Sequence, residues 1–278
     1  MARKKADPNN MSFLDHVEEL RWCLIRSIAG VLIGAGIAAF FTDFIFDVII
    51  FGPKRGTFIT YEFFCEFGNY FGVESDFCNP EFNFKVQSRE MSDEFSTHIW
   101  TSILVGFVVA FPWILYQVWK FIAPGLKASE KKYSGGFIII CSLLFFLGVI
   151  FGYFVIAPLS VHFMMTYNLS PEISTEPSLS SYIGYIRASI LASGLLFELP
   201  VIIYFLTKIG LATPEGLRKN RKFALVIVLI VAAVITPPDV ASQIIVAIPV
   251  LILYEVSIFI SKFVLYRQKK REKKLATP

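Results

Sequence analysis

Charge is scarce in this chain: Asp, Glu, Lys and Arg make up only 17% of its 278 residues, against about 25% in an ordinary soluble domain. The deficit is filled by apolar residues at 55% and aromatic ones at 16%, with a mean hydropathy of +0.61. A water-soluble enzyme of this length is therefore an unsuitable model, and the bilayer is the expected solvent. Histidine is scarcer still. His16, His98 and His162 are far apart and no clustered metal-ligand spacing appears, so neither a metal nor another cofactor is expected. A glycine-rich Walker loop and a nucleophile motif are also lacking, which leaves nucleotide hydrolysis and covalent catalysis without apparatus. The chain is expected to be a binding scaffold and not an enzyme, with no nucleic-acid partner.

What is present is a series of long apolar runs, at about 24–46, 99–119, 137–157, 182–207, 223–235 and 240–265. A hydrocarbon core about 30 Å thick needs roughly 20 apolar residues per helix, so six spanning helices in an all-α polytopic protein are expected. An even number places both termini on one side. Lys and Arg decide which: Arg3, Lys4, Lys5, Arg21 and Arg26 stand at the start, and Lys120, Lys127, Lys131 and Lys132 between spans two and three. Lys208 and the cluster from Arg218 to Lys222 follow, and then a basic tail over 266–278. By the positive-inside rule these segments, and both termini, are cytoplasmic, while the loops around Pro158 and Pro238 carry no basic residue. The start is not expected to act as a cleaved secretory signal, because its basic residues lead into a polar stretch and the first apolar run begins near Leu24.

Between spans one and two, residues 51–96 form a long, acidic and aromatic segment, expected to pack as a structured cap on the outer face. It holds Cys65 and Cys78 in what the topology makes an oxidising compartment; a disulfide and a pair of buried free thiols both fit. The fifth run has only about 13 apolar residues before Thr236, Pro237, Pro238 and Asp239, too few for an upright crossing. Spans five and six are expected to form a short hairpin, with Thr236 or Asp239 as the candidate helix cap; the alternative is a misplaced boundary. Gly30 with Gly34 and Gly148 with Gly152 are small-residue pairs at helical spacing, suited to close helix packing.

Three carboxylates stand out. Glu198 lies deep in the fourth run, two residues before Pro200, where a charge costs several kcal/mol and a bend is expected. It is either functional or a protonated acid hydrogen-bonded within the bundle. Arg187 is eleven residues earlier, about 16 Å away at about 1.5 Å per residue, and is expected to snorkel toward the outer surface. Glu19, with Asp15 and Glu18, precedes the first span on the side where cations are expected, an arrangement suited to a cationic partner. Glu130, among lysines of the second loop, is either a second such contact or an ordinary solvated residue.

The string Phe13, Leu14, Asp15, His16, Val17, Glu18, Glu19, Leu20, Arg21 resembles the amino-terminal motif of the TatC family, receptor subunits of the twin-arginine protein translocase. Leu115 to Leu126, including Trp119, Lys120, Phe121, Pro124 and Gly125, is similar to the end of the family's second helix. Phe197, Glu198, Leu199, Pro200 is similar to its fourth-helix motif. Thr213, Pro214, Glu215 and then Thr236, Pro237, Pro238, Asp239, Ser242, Gln243 complete a match over nearly the whole chain.

The resemblance implies a single membrane domain over 1–278, cup-shaped, in the bacterial cytoplasmic (inner) membrane. It implies recognition of the paired arginines of signal peptides on folded precursor proteins, and transport driven by the protonmotive force. Partners implied are TatA- and TatB-like single-span subunits and further copies of the chain. Residue by residue, it assigns Glu19 and Glu130 to the arginine pair, with Phe121, Leu126 and Arg21 around them. It assigns Glu198, Thr236 and Gln243 to intramembrane positions where partner helices dock. The chain departs from the family at Trp22, Cys23 and Arg187 and in the length of its first loop. Two other function classes carry different signatures: a proton-coupled solute transporter relaying through Glu198 would show inverted repeats, and an intramembrane enzyme would need a paired nucleophile and base.

Overall fold

The computed structural model describes residues 13–70, 72, 77–78, 84–123, 134–167, 169–170, 172, 176–236 and 240–276. Every regular element among them is helical. Five helical segments are long and apolar enough to cross a membrane: Leu14–Phe40, Asp93–Ile122, Gly135–Thr166, Leu179–Lys208 and Ser242–Lys270. The helix Arg221–Ile235 is shorter, at 15 residues, or about 22 Å at about 1.5 Å per residue. That is less than the roughly 30 Å of a bilayer core, as the short fifth run implies. By packing the chain divides into two compact units, Met1–Val48 with Glu90–Leu143 and Ile49–Arg89 with Leu144–Pro278.

In the first unit, α1 (Phe13–Phe40) packs on α3 (Asp93–Ile122). The close approach depends on glycine. A Cβ on Gly34 would stand 3.0 Å from the Cα and the carbonyl oxygen of Gly106, and one on Gly106 would come 2.5 Å from the Val31 carbonyl oxygen. Gly30 is filled by the Trp113 ring, whose indole N–H donates to the Arg26 carbonyl at 3.2 Å. At the other end the Thr42 hydroxyl and the His98 ring nitrogen are 3.0 Å apart. α3 begins six residues before the apolar run, because Asp93 and Glu94 occupy its first turn, where carboxylates favour the positive end of the helix dipole.

The second unit holds α2 (Ile59–Tyr70), the second part of α4 (Ser134–Phe151) from Leu144 on, α5 (Ala157–Thr166), α6 (Leu179–Leu196), α7 (Leu199–Lys208), α8 (Pro214–Lys219), α9 (Arg221–Ile235) and α10 (Val240–Ala276). Pro158, expected in a loop, lies instead in the first turn of α5, joined to α4 by a π-helical turn at Gly152–Ile156. The first turn of a helix tolerates proline because its N–H has no intrahelical acceptor there. Gly148 and Gly152 lie against α6: a Cβ on each would come 2.6 Å from the Ser193 and 2.7 Å from the Ser189 carbonyl oxygen. The Ser193 hydroxyl in turn donates to the Gly148 carbonyl at 2.6 Å.

α9 and α10 share a core of Val228, Ala232, Val246, Ala247 and Val250 with Ile156. The Thr236 hydroxyl donates back to the Ala232 carbonyl at 2.9 Å, ending α9, and Asp239 lies outside the described residues. The basic tail from 266 continues α10 in helical form to Ala276.

Gly106→Leu should destabilise the first unit by about 1–3 kcal/mol, since the obstructing atoms are backbone and cannot move aside. Gly36→Ala, where an added Cβ meets nothing within 4 Å, should not lower the midpoint of thermal unfolding in detergent and should raise it slightly, since alanine is the better helix former.

Candidate functional sites

Glu19 shares one face of α1 with Cys23, Ser27, Gly30 and Gly34, the i, i+4 series that packs toward α3. Cys23 and Ser27 are buried and Glu19 is half-buried. Its Oε2 is shielded from solvent and accepts no hydrogen bond among the described residues. One turn earlier, the His16 ring stacks on Phe121 with centroids 4.4 Å apart, so the last turn of α3 meets the first turns of α1 beside the carboxylate. Arg21 is two positions on from Glu19, about 200° around the helix. It is exposed, with its guanidinium 6.0 Å from the Trp22 ring, and is not brought to Glu19. Glu130 and Leu126 lie outside the described residues. His16 was not singled out from sequence, although its place three residues before Glu19 puts it on the same side of a helix.

In the second unit, α6 ends at Leu196 and α7 begins at Leu199, with Phe197 and Glu198 as the break. Pro200 causes it: it has no N–H, and its ring excludes the carbonyl of Leu196, four residues earlier. The Glu198 carbonyl accepts from the N–H groups of Val201 and Ile202 at 2.9 and 3.0 Å, starting α7. Its side chain is 9% exposed, and Oε1 has no hydrogen-bond partner among the described residues. The neighbouring Phe197 is buried against Phe151, with ring centroids 5.5 Å apart. Arg187 is half-buried, with its guanidinium directed back over Gly184 toward the start of α6.

Gln243 and Thr236 have partners inside the chain. The Gln243 side-chain amide donates to the Leu229 carbonyl at 2.9 Å, tying α10 to α9. Thr236 is 3% exposed, and its hydroxyl is engaged with Ala232. Cys65 and Cys78 are joined by a disulfide, with Cα atoms 4.8 Å apart, while Cys23 and Cys141 are buried free thiols. No group of three or more His, Cys, Asp or Glu residues suited to a metal ion occurs among the described residues.

Glu198→Leu is expected to raise stability by about 1–3 kcal/mol, because it removes a buried polar group that lacks a partner. Gln243→Leu is expected to lower it by about 1 kcal/mol, because the side-chain hydrogen bond that ties α10 to the Leu229 carbonyl of α9 is lost. Denaturant titration of the two variants in the same detergent should therefore give midpoints on opposite sides of the parent chain.

Residues 15–249 match the family model of the Sec-independent protein translocase protein, TatC. The Sec-independent protein translocase protein TatC of Blattabacterium sp. subsp. Periplaneta americana is 43% identical over 261 residues, covering 94% of this chain and 98% of that one. The TatC of Aquifex aeolicus is 34% identical, covering 95% and 100%. The crystal structure of a twin arginine translocase receptor, TatC, superposes with a TM-score of 0.67 at 33% identity, covering 90% of this chain and 99% of that chain. With the family model spanning most of its length and both relatives matched almost end to end, this chain belongs to the TatC family and is a component of the Sec-independent twin-arginine protein translocase.

Proposed function

We propose that this translocase component is the receptor for twin-arginine signal peptides of folded precursors, holding the arginine pair on Glu19 and Glu130 with Phe121 and Leu126 beside them. The observation that carries the reading is Glu19. A carboxylate oxygen sits shielded at the head of a spanning helix, next to the His16–Phe121 stack, without a hydrogen-bond donor among the described residues. Such a group favours a ligand that supplies one. A guanidinium presents a planar fork of donors that two carboxylate oxygens accept together, whereas an ammonium cannot match that geometry. Arginine in place of lysine is thus the residue such a partner must carry. Arg21, on the far side of α1, acts at most through the field it adds at the helix head.

Orientation follows from the distribution of Lys and Arg: both termini, Glu19 and the loop holding Glu130 face the cytoplasm of the bacterial inner membrane, and 51–96 lies on the other side as a cap. Glu198, Thr236 and Gln243 serve docking of TatA- and TatB-like single-span subunits and of further copies of the chain. Of the three, Glu198 is the best placed, since its Oε1 is buried and has no donor among the described residues, and a polar group in lipid favours a partner that can hydrogen-bond it. The chain acts by binding and assembly and not by catalysis, in transport driven by the protonmotive force.

Each charge-assisted hydrogen bond contributes roughly 1.5–3 kcal/mol, so loss of one such contact weakens binding by about tenfold or more. Glu19→Ala and Glu130→Ala should each reduce crosslinking of a two-arginine signal peptide on that scale, with membrane insertion intact. The parent chain should discriminate by a similar factor against a two-lysine peptide. Equal crosslinking of both peptides in the parent and in the two variants would remove the assignment.

A further inference from the structure

α2 spreads apolar residues over more of its circumference than the chain itself covers. One side is anchored. The Thr60 hydroxyl donates to the Phe154 carbonyl, and the Tyr61 hydroxyl shares its proton between the carbonyls of Pro53 at 2.8 Å and Pro158 at 3.1 Å. Burial pushes the Tyr61 phenol well above its usual pKa, so it remains a donor. Phe64 packs on Phe77 at 5.4 Å, and Phe77 on His162 at 4.3 Å. A second side is polar and carries Glu62, Glu66 and Asn69.

Between these two sides runs a row at i, i+4, i+8 and i+11: Ile59, Phe63, Phe67 and Tyr70, which are 63%, 61%, 54% and 85% exposed. Leaving such a row in water forfeits about 25 cal/mol for each Å² of apolar surface. Its surroundings indicate what covers it. Phe58, the residue before the row, stacks on Phe154 with centroids 5.8 Å apart. Phe154 belongs to the membrane-crossing segment Gly135–Thr166 and is itself 38% exposed. The apolar surface that this segment leaves exposed at Leu147 and Ile150, which a crossing of the bilayer would turn to lipid, therefore has a counterpart, through Phe154 and Phe58, on α2. At 12 residues the helix is about 18 Å long, too short to cross a bilayer core of about 30 Å. A short helix with an aromatic face beside a polar one and a tyrosine at its end suits the membrane interface through its apolar area, Glu62 and Glu66 standing where such helices commonly carry Lys and Arg.

We propose that α2 is an interfacial helix, its row of Ile59, Phe63, Phe67 and Tyr70 seated at the headgroup–acyl boundary of the leaflet at the Thr166 end of the segment Gly135–Thr166. The occupant of this face is phospholipid, and the helix anchors the first loop to the bilayer surface. The proposal is independent of which residues bind the signal peptide.

The test uses the full chain in phospholipid vesicles, with a benzophenone-bearing phenylalanine analogue introduced singly at positions 62, 63, 66 and 67, and at 147 as the lipid-facing reference. After illumination, mass analysis should find phospholipid adducts at 63 and 67 at a level near that of position 147 and about fivefold or more above 62 and 66. Protein adducts at 63 and 67, whether to a second copy or to another subunit, would overturn the proposal. An absence of lipid adducts there while position 147 labels would overturn it equally.

Discussion

A slab of hydrocarbon about 30 Å thick that offers no hydrogen bonds is the constraint on which this molecule depends. Every backbone N–H and C=O at that depth must find a partner within the chain, which explains why each interruption of the helices here has its own compensation. Where Pro200 breaks the fourth span, the Glu198 carbonyl takes up the N–H groups of Val201 and Ile202. Where Pro158 enters the third, a π-helical turn carries the chain past it. Where the fifth helix stops short, Thr236 returns its hydroxyl to the Ala232 carbonyl.

The same constraint determines how helices meet. Lipid is as apolar as leucine, so burying leucine between helices gains little, and close packing has to supply the attraction. Gly34 against Gly106, and Gly148 with Gly152 against Ser189 and Ser193, bring backbones to distances that any side chain would prevent. Serine at these contacts has a second use, since the Ser193 hydroxyl donates to the Gly148 carbonyl across the contact.

Against such compensation, Glu19 and Glu198 stand apart as carboxylates with a shielded oxygen that has no hydrogen-bond donor among the described residues. Glu19 and Glu198 occupy different units and different settings, one at the head of a span and one inside a broken span. Each carries a desolvation cost of about 1–3 kcal/mol or more that the fold itself does not offset. Under the function proposed above, the donor that each of them lacks among the described residues would come from a binding partner.

Much of this was legible in the sequence because hydropathy and proline act locally. The apolar runs mark the spans, Pro200 marks the break beside Glu198, and the thirteen apolar residues before Thr236 mark the short helix. Helical spacing alone also places Glu19 and Arg21 on opposite sides of α1. Partners distant in the chain were not legible, since they depend on which faces meet: Gly106 opposite Gly34, Phe121 on His16, the Leu229 carbonyl for Gln243, and the Pro158 carbonyl for Tyr61. The order and kind of the helices thus follow from the sequence, because burying an apolar run in lipid needs no other segment. The environment of each polar side chain was decided by tertiary structure, because a hydrogen bond requires its second atom within about 3 Å, and only packing brings it there.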